Sequence, residues 1–154
     1  MLARHVARQH WIFRINSSLI NTAAIHCRKS HSDTLITTSE VVTDRQSKFI
    51  GRAARIQSKE DAENILKTVR EMKAVRKASH RAMYAWRNCP NNEIAEGMGN
   101  DGESGAGMVL LNMLRQSDWR NVIVIVTRFY GGKPLGPDRF RHIRAVAREA
   151  LEKL

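Results

Sequence analysis

Asn121-Val122-Ile123-Val124-Ile125-Val126-Thr127 is an almost unbroken β-branched run. It empties into Arg128-Phe129-Tyr130-Gly131-Gly132-Lys133-Pro134-Leu135-Gly136-Pro137-Asp138-Arg139. A strand apolar at every position, rather than at alternate ones, is buried on both faces. Pro137 suits the first turn of a helix, where its fixed φ helps and its missing N–H is no loss. Phe140, Ile143, Ala147, Ala150 and Leu154 then recur at three- and four-residue steps, so a helix follows the strand.

Working outward, Asp101-Gly102-Glu103-Ser104-Gly105-Ala106-Gly107 leads straight into Met108, Val109, Leu110, Leu111 and Leu114, a second loop entering a helix. The residues before it, from Asn88, read as loop. Ser79 to Arg87 reads as a strand with His80, Ala82, Tyr84 and Trp86 on one face. Further upstream, Thr34–Thr43 and Lys48–Ile56 read as strands joined by a polar turn at Asp44-Arg45-Gln46. Ser58 opens a helix with capping-box spacing to Asp61. Its stripe is Ala62, Ile65, Leu66, Val69 and Met72, and it ends in the cations Lys73, Arg76 and Lys77. The whole predicts an α+β domain: three helices packed on one face of a sheet, without an internal repeat.

The chain has 154 residues and a formal net charge of +11. That length suits one domain with a short appendage. No apolar run approaches the roughly 18 residues of a membrane-spanning helix. Two cysteines build neither a disulfide framework nor a paired zinc site. The charge is uneven. Residues 1–32 contain no Asp or Glu, and hold Arg4, Arg8, Arg14, Arg28, Lys29 and four of the six histidines. On a helix Leu2, Val6, Gln9 and Phe13 share a side away from Arg4 and Arg8, the pattern of a mitochondrial targeting segment. An untidy basic tail is the other reading. The expected division is therefore a leader over 1–32 and a domain over 33–154. The leader takes five charges, leaving +6 on the domain.

Eight of the nine glycines lie between Gly97 and Gly136, at the two places where the chain enters a helix. Glycine there admits positive φ and close backbone approach, and free N–H groups at a helix start attract anions. Gly102, Gly105 and Gly107 with Asp101 and Glu103 form an acidic junction. Gly131, Gly132 and Gly136 with Arg128, Lys133 and Arg139 form a basic one. Either the two line a shared open surface, or the glycines make tight turns while Asp101 caps its helix. Arg141, Arg144 and Arg148 fall on one helical face, suited to phosphates, to an acidic partner or simply to solvent.

Signals for chemistry are weak. Gly97-Met98-Gly99-Asn100-Asp101-Gly102 has dinucleotide-fingerprint spacing without the strand-to-helix turn that fingerprint needs. Cys89 and His80 lack a residue to orient the imidazole. His142 reads as a solvated helix residue. Asp101 and Glu103 lack a third metal ligand. No catalytic residue, metal or cofactor is expected.

Several motifs occur in order: Ser47-Lys48-Phe49, Ala78-Ser79-His80 with Tyr84-Ala85-Trp86-Arg87, Asn100-Asp101-Gly102-Glu103, and Arg128-Phe129-Tyr130-Gly131-Gly132. Together they resemble the IMPACT N-terminal domain family. Leu135-Gly136-Pro137-Asp138-Arg139-Phe140-Arg141-His142-Ile143 looks like its eukaryotic branch. The resemblance covers Thr34 to Leu151. It implies a mixed sheet with helices on one face, similar to the second domain of ribosomal protein S-five.

The resemblance also implies a regulator rather than an enzyme. Such a regulator binds the ribosome-associated activator of the general-control kinase and so damps the amino-acid starvation response. The implied docking surface comprises Arg87, Asp101, Glu103, Arg128, Phe129, Tyr130, Lys133, Arg139, Arg141, Arg144 and Arg148. Hot-spot composition points to Arg128, Phe129, Tyr130 and Arg139 within it. Direct binding to the ribosome or RNA is a further expectation.

Two departures from the family pattern stand out. Thirty-two leading residues do not encode the additional N-terminal domain of the longer regulators, and Asn100 stands where the family usually has an acid. A mitochondrial leader would also separate the chain from a cytosolic partner, so the location is cytoplasmic or mitochondrial. The rival reading is an enzyme or binding protein for a small anionic or phosphorylated ligand in mitochondria.

Overall fold

The structure is a computed structural model that describes residues 34–154. The basic leader over 1–32 lies outside the described residues. In chain order the elements are β1 (Thr37–Thr38), β2 (Val42–Asp44), β3 (Ser47–Arg55), α1 (Lys59–Glu71), β4 (His80–Asn88), β5 (Ala95–Gly99), α2 (Ala106–Gln116), β6 (Val122–Phe129) and α3 (Asp138–Glu152). The sheet runs β1-β3-β6-β4-β5, and β2 also pairs with β3. Each of these pairings is antiparallel.

The α+β class expected from the pattern is the one observed, with a different arrangement of layers. Where one face was expected to carry all three helices, they divide two and one. Val122, Val124 and Val126 of β6 pack with residues of α2 and α3, including Leu110, Leu114, Ile143 and Ala147. Ile123 and Ile125 point the other way, onto Ala62, Ile65, Leu66 and Val69 of α1. The reason is contained in β6 itself. A strand apolar at consecutive positions leaves greasy surface on both sides, and each side requires a helix.

The long N-terminal strand is broken at Ser39. Ser39 N–H donates to the Gly51 carbonyl at 2.9 Å. Its hydroxyl in turn accepts the Gly51 N–H at 2.9 Å, a side chain standing in for the backbone ladder. Arg45 and Gln46 both have positive φ, 45° and 67°. They form the two-residue turn whose twist suits adjacent antiparallel strands. Helix α1 begins at Ser58, whose side chain accepts the Asp61 N–H at 3.1 Å. Asp61 reaches back one residue further than a capping box requires, to the Gln57 N–H at 2.9 Å. The helix stops at Glu71, so Lys73, Arg76 and Lys77 lie in the turns beyond it.

Strand β5 occupies part of the stretch expected to be loop. Glycine is a poor strand former, but here it makes room. A Cβ on Gly97 would sit 2.3 Å from Trp86 Nε1, and one on Gly99 2.4 Å from the Tyr84 ring. The rings of β4 therefore lie across the bare backbone of β5.

Helix α3 is seated closely on β3. A Cβ on Gly51 would fall 2.1 Å from the Val146 carbonyl oxygen. Thr37 Oγ1 donates to the Ala150 carbonyl at 2.6 Å, tying β1 to the same helix.

Candidate functional site

Both glycine junctions lie at the sheet end where β6 finishes and β4 begins, since His80 pairs with Arg128 in the ladder. Gly105 is the N-cap residue of α2, in the left-handed region at φ 86°, and has no side chain with which to cap the helix. Asp101 is engaged elsewhere. Its carboxylate accepts the Ala82 N–H at 3.0 Å, and its carbonyl is bonded to His80 Nδ1 at 2.9 Å. Asn100 does the work at the helix start, accepting the Gly107 N–H at 2.9 Å.

Glu103 joins the two junctions. One carboxylate oxygen accepts a hydrogen bond from Arg128, and the other accepts from Arg139 Nε at 2.7 Å. His80 Nε2 stands 3.5 Å away. Both Glu103 and Arg128 are buried. The Arg128 guanidinium lies 5.4 Å from the ring centres of both Phe49 and Tyr130. Its Nε is a buried donor without a partner among the described residues.

The loop after β6 is anchored by two hydroxyls. Ser79 Oγ accepts the Tyr130 N–H and Ser47 Oγ accepts the Gly131 N–H, each at 3.1 Å. A Cβ on Gly131 would lie 2.2 Å from the Gln46 backbone, so the loop presses directly on the β2–β3 turn. Tyr130 remains 47% exposed. An aromatic side chain thus projects from a backbone that is held on both sides.

The expected docking residues separate into two groups. Arg87, Glu103 and Arg128 are buried and engaged internally, which corrects their assignment to an accessible surface. Each sits where a buried charge needs partners. Arg87 is at the far end of the sheet from the junctions. Its Nε donates to Glu96 at 2.8 Å, and its Nη1 donates to the Leu114 and Trp119 carbonyls at 3.2 and 3.1 Å. Asp101, Phe129 and Arg139 are partly exposed, while Tyr130, Lys133, Arg141, Arg144 and Arg148 are exposed. Gly132 and Gly136 border open space, and Gly102 faces His80.

Other titratable groups are tied into the frame. His142 is not solvated as expected. Its ring packs 5.3 Å from Phe49 and its Nε2 meets Asp44 at 2.8 Å, which holds the Asp44 carboxyl below its ordinary pKa. Glu96 is likewise lowered, chiefly by its hydrogen bond from Arg115 and then by Arg87. Among the described residues, no group of three or more His, Cys, Asp or Glu could hold a metal ion. No described helix is long and apolar enough to cross a membrane.

The family model for the Impact N-terminal domain matches residues 45–151. The chain belongs to this family. The IMPACT family member YDL177C of Saccharomyces cerevisiae is 39% identical over 151 residues, covering 75% of this chain and 89% of that protein. The Protein IMPACT homolog of the same yeast is 41% identical over 117 residues, covering 75% of this chain and 45% of the homolog. The chain thus spans less than half the length of that relative.

Two solved structures are similar. "Crystal structure of an hypothetical protein" has a TM-score of 0.66 at 27% identity, covering 77% of this chain and 58% of the other. "Structure of two-domain translational regulator Yih1 reveals a possible mechanism of action" has a TM-score of 0.55 at 34% identity, covering 97% of this chain and 55% of the other.

The structure gives the IMPACT-type motifs physical roles. Ser47 and Ser79 hold the loop of Tyr130 and Gly131. His80 binds the Asp101 turn, and Tyr84 and Trp86 cover the glycines of β5. Sequence reasoning had assigned no work to either serine. The available signal was a lone Ser at the start of one strand and just before the other, which in sequence looks like ordinary turn chemistry.

Proposed function

We propose that the chain is a protein-binding regulator of translation. On this reading it modulates the amino-acid starvation response by binding the ribosome-associated activator of the general-control kinase in the cytoplasm. The observation that carries it is the relation to Yih1, titled a two-domain translational regulator, at 34% identity over 97% of this chain. Tyr130 on its anchored loop and the nearby cations supply the aromatic and arginine content typical of protein interfaces.

The anionic-ligand reading loses support from Glu103. Arg128 and Arg139 would be the cations to hold a phosphate, yet that carboxylate already occupies them.

The test is co-purification of the activator with the full tagged chain, together with kinase activation during amino-acid starvation. The expected result is capture of the activator and a weaker kinase response on overexpression. Failure of capture, with a thermal shift by phosphorylated metabolites instead, overturns the reading. Capture of ribosomes or RNA that falls steeply with salt would point to nucleic acid.

A further inference from the structure

Helix α3 buries one side completely. Ile143, Val146, Ala147, Ala150 and Leu151 pack inward. On the opposite side Arg141, Arg144, Ala145 and Arg148 are exposed, followed by Glu149 and Glu152, and together they line a shallow groove of about 400 Å³. Arg144 and Arg148 make no hydrogen bond or ion pair among the described residues, whereas the Arg141 charge is felt by Asp44. Glu149 does not neutralise them. It accepts the Glu40 N–H and the Lys153 ammonium, each at 2.8 Å.

We propose that this face docks an acidic helix of a protein partner. The proposal deepens the regulator reading and rests on it. Arg141, Arg144 and Arg148 follow i, i+3, i+7 spacing and span about 10.5 Å along the axis. Carboxylates repeating at the same steps on a facing helix would meet all three. Arginine's fork pairs each carboxylate bidentately, which sets register as well as attraction. Ala145 lines the same groove, and its small side chain leaves room for a second helix to approach.

Glu152 makes this face better suited to a protein than to a nucleic acid. It continues the stripe one turn beyond Arg148 and reverses its sign. A polyphosphate backbone would be repelled there, but a partner helix with one cation at that step would be accommodated. No aromatic side chain lines the groove to stack a base.

The test uses the full chain, ¹⁵N-labelled, titrated with a synthetic alanine-based helical peptide. The peptide carries glutamates at i, i+3 and i+7 and a lysine one turn further, in both sequence orders. A peptide of the same composition with dispersed charges and a single-stranded RNA are the comparison ligands. Saturable shifts at Arg141, Arg144, Ala145 and Arg148 with one ordered peptide are expected, weaker with the dispersed one. Arg144→Glu should reduce affinity about tenfold or more, the range of one reversed close charge pair. Arg148→Glu repeats the test at a second exposed position. Equal binding of both peptides, shifts elsewhere on the molecule, or RNA binding in place of the peptide would each overturn the proposal. Activator capture by the wild-type chain reports separately on the regulator reading.

Discussion

Arg139 Nε donates to Glu103 Oε1 across 2.7 Å, and through this contact the start of α3 is fixed to the loop that enters α2. The same carboxylate holds Arg128 at the end of β6. One buried anion therefore aligns three elements that are far apart in sequence. This arrangement ties the two glycine junctions together, with Tyr130 and Lys133 exposed beside the basic one.

Replacing Glu103 should be costly. Glu103→Ala leaves two guanidinium groups without their anion, one of them buried. Removing one partner of a buried pair typically costs about 3–5 kcal/mol. Urea unfolding monitored by circular dichroism should show the lower midpoint. Changing Glu103→Leu and Arg128→Met together should restore part of it, because no buried charge is then abandoned at that contact.

Gly51→Ala should loosen α3 from the sheet. The new methyl would overlap the Val146 carbonyl, which is backbone and cannot rotate away. Overpacking of this kind costs about 1–3 kcal/mol. Hydrogen exchange of α3 amides should accelerate more than that of α1.

Arg87→Met tests an internal role against a docking role. The substitution removes the donor serving the Leu114 and Trp119 carbonyls, with a loss of about 1.5–3 kcal/mol per charged hydrogen bond as the relevant scale. Stability should fall while activator capture by the folded fraction is unchanged. A variant of normal stability that no longer captures the activator would return Arg87 to the interface.

The acid limb of stability should depend on Glu96. Its pKa is lowered in the folded chain by Arg115 and Arg87. The folded state thus binds protons less readily than the unfolded one. Its contribution is present above the ordinary glutamate pKa of about 4.3 and is lost as pH falls through the lower folded value. Urea midpoints from pH 7 down to 3 should decline less steeply in Glu96→Gln than in the wild type.

Tyr130→Ala should spare the fold and weaken docking. The side chain is 47% exposed, and the anchors of its loop are the Ser79 and Ser47 hydroxyls acting on backbone N–H groups. Loss at an aromatic hot spot is about 2 kcal/mol or more. The measurement is activator capture against a midpoint close to wild type.

Much of the architecture was legible because it depends on local pattern. The β6 run announced a doubly covered strand, and Ser58 marked the start of α1. The distribution of helices between the faces was also implicit there, since Ile123 and Ile125 need cover as much as Val122 and Val124 do. Strand β5 was hidden because Gly97 and Gly99 argue against a strand until Trp86 and Tyr84 are seen lying over them. Gly51 was missed as a packing position because its reason is the Val146 backbone, nearly a hundred residues away. At the site, charge and glycine placement marked the acidic and basic junctions but left open whether they meet, which the Glu103 contacts decide. Burial was not, and it moved Glu103, Arg128 and Arg87 from the surface to the interior.

The bond from Thr37 to the Ala150 carbonyl joins positions 113 residues apart. At ordinary rates of synthesis, β1 emerges from the ribosome on the order of ten seconds before its partner helix exists. Until then the side of β3 on which α3 sits has no lid. The β1 edge of the sheet therefore closes only once the last turns of the chain have been made.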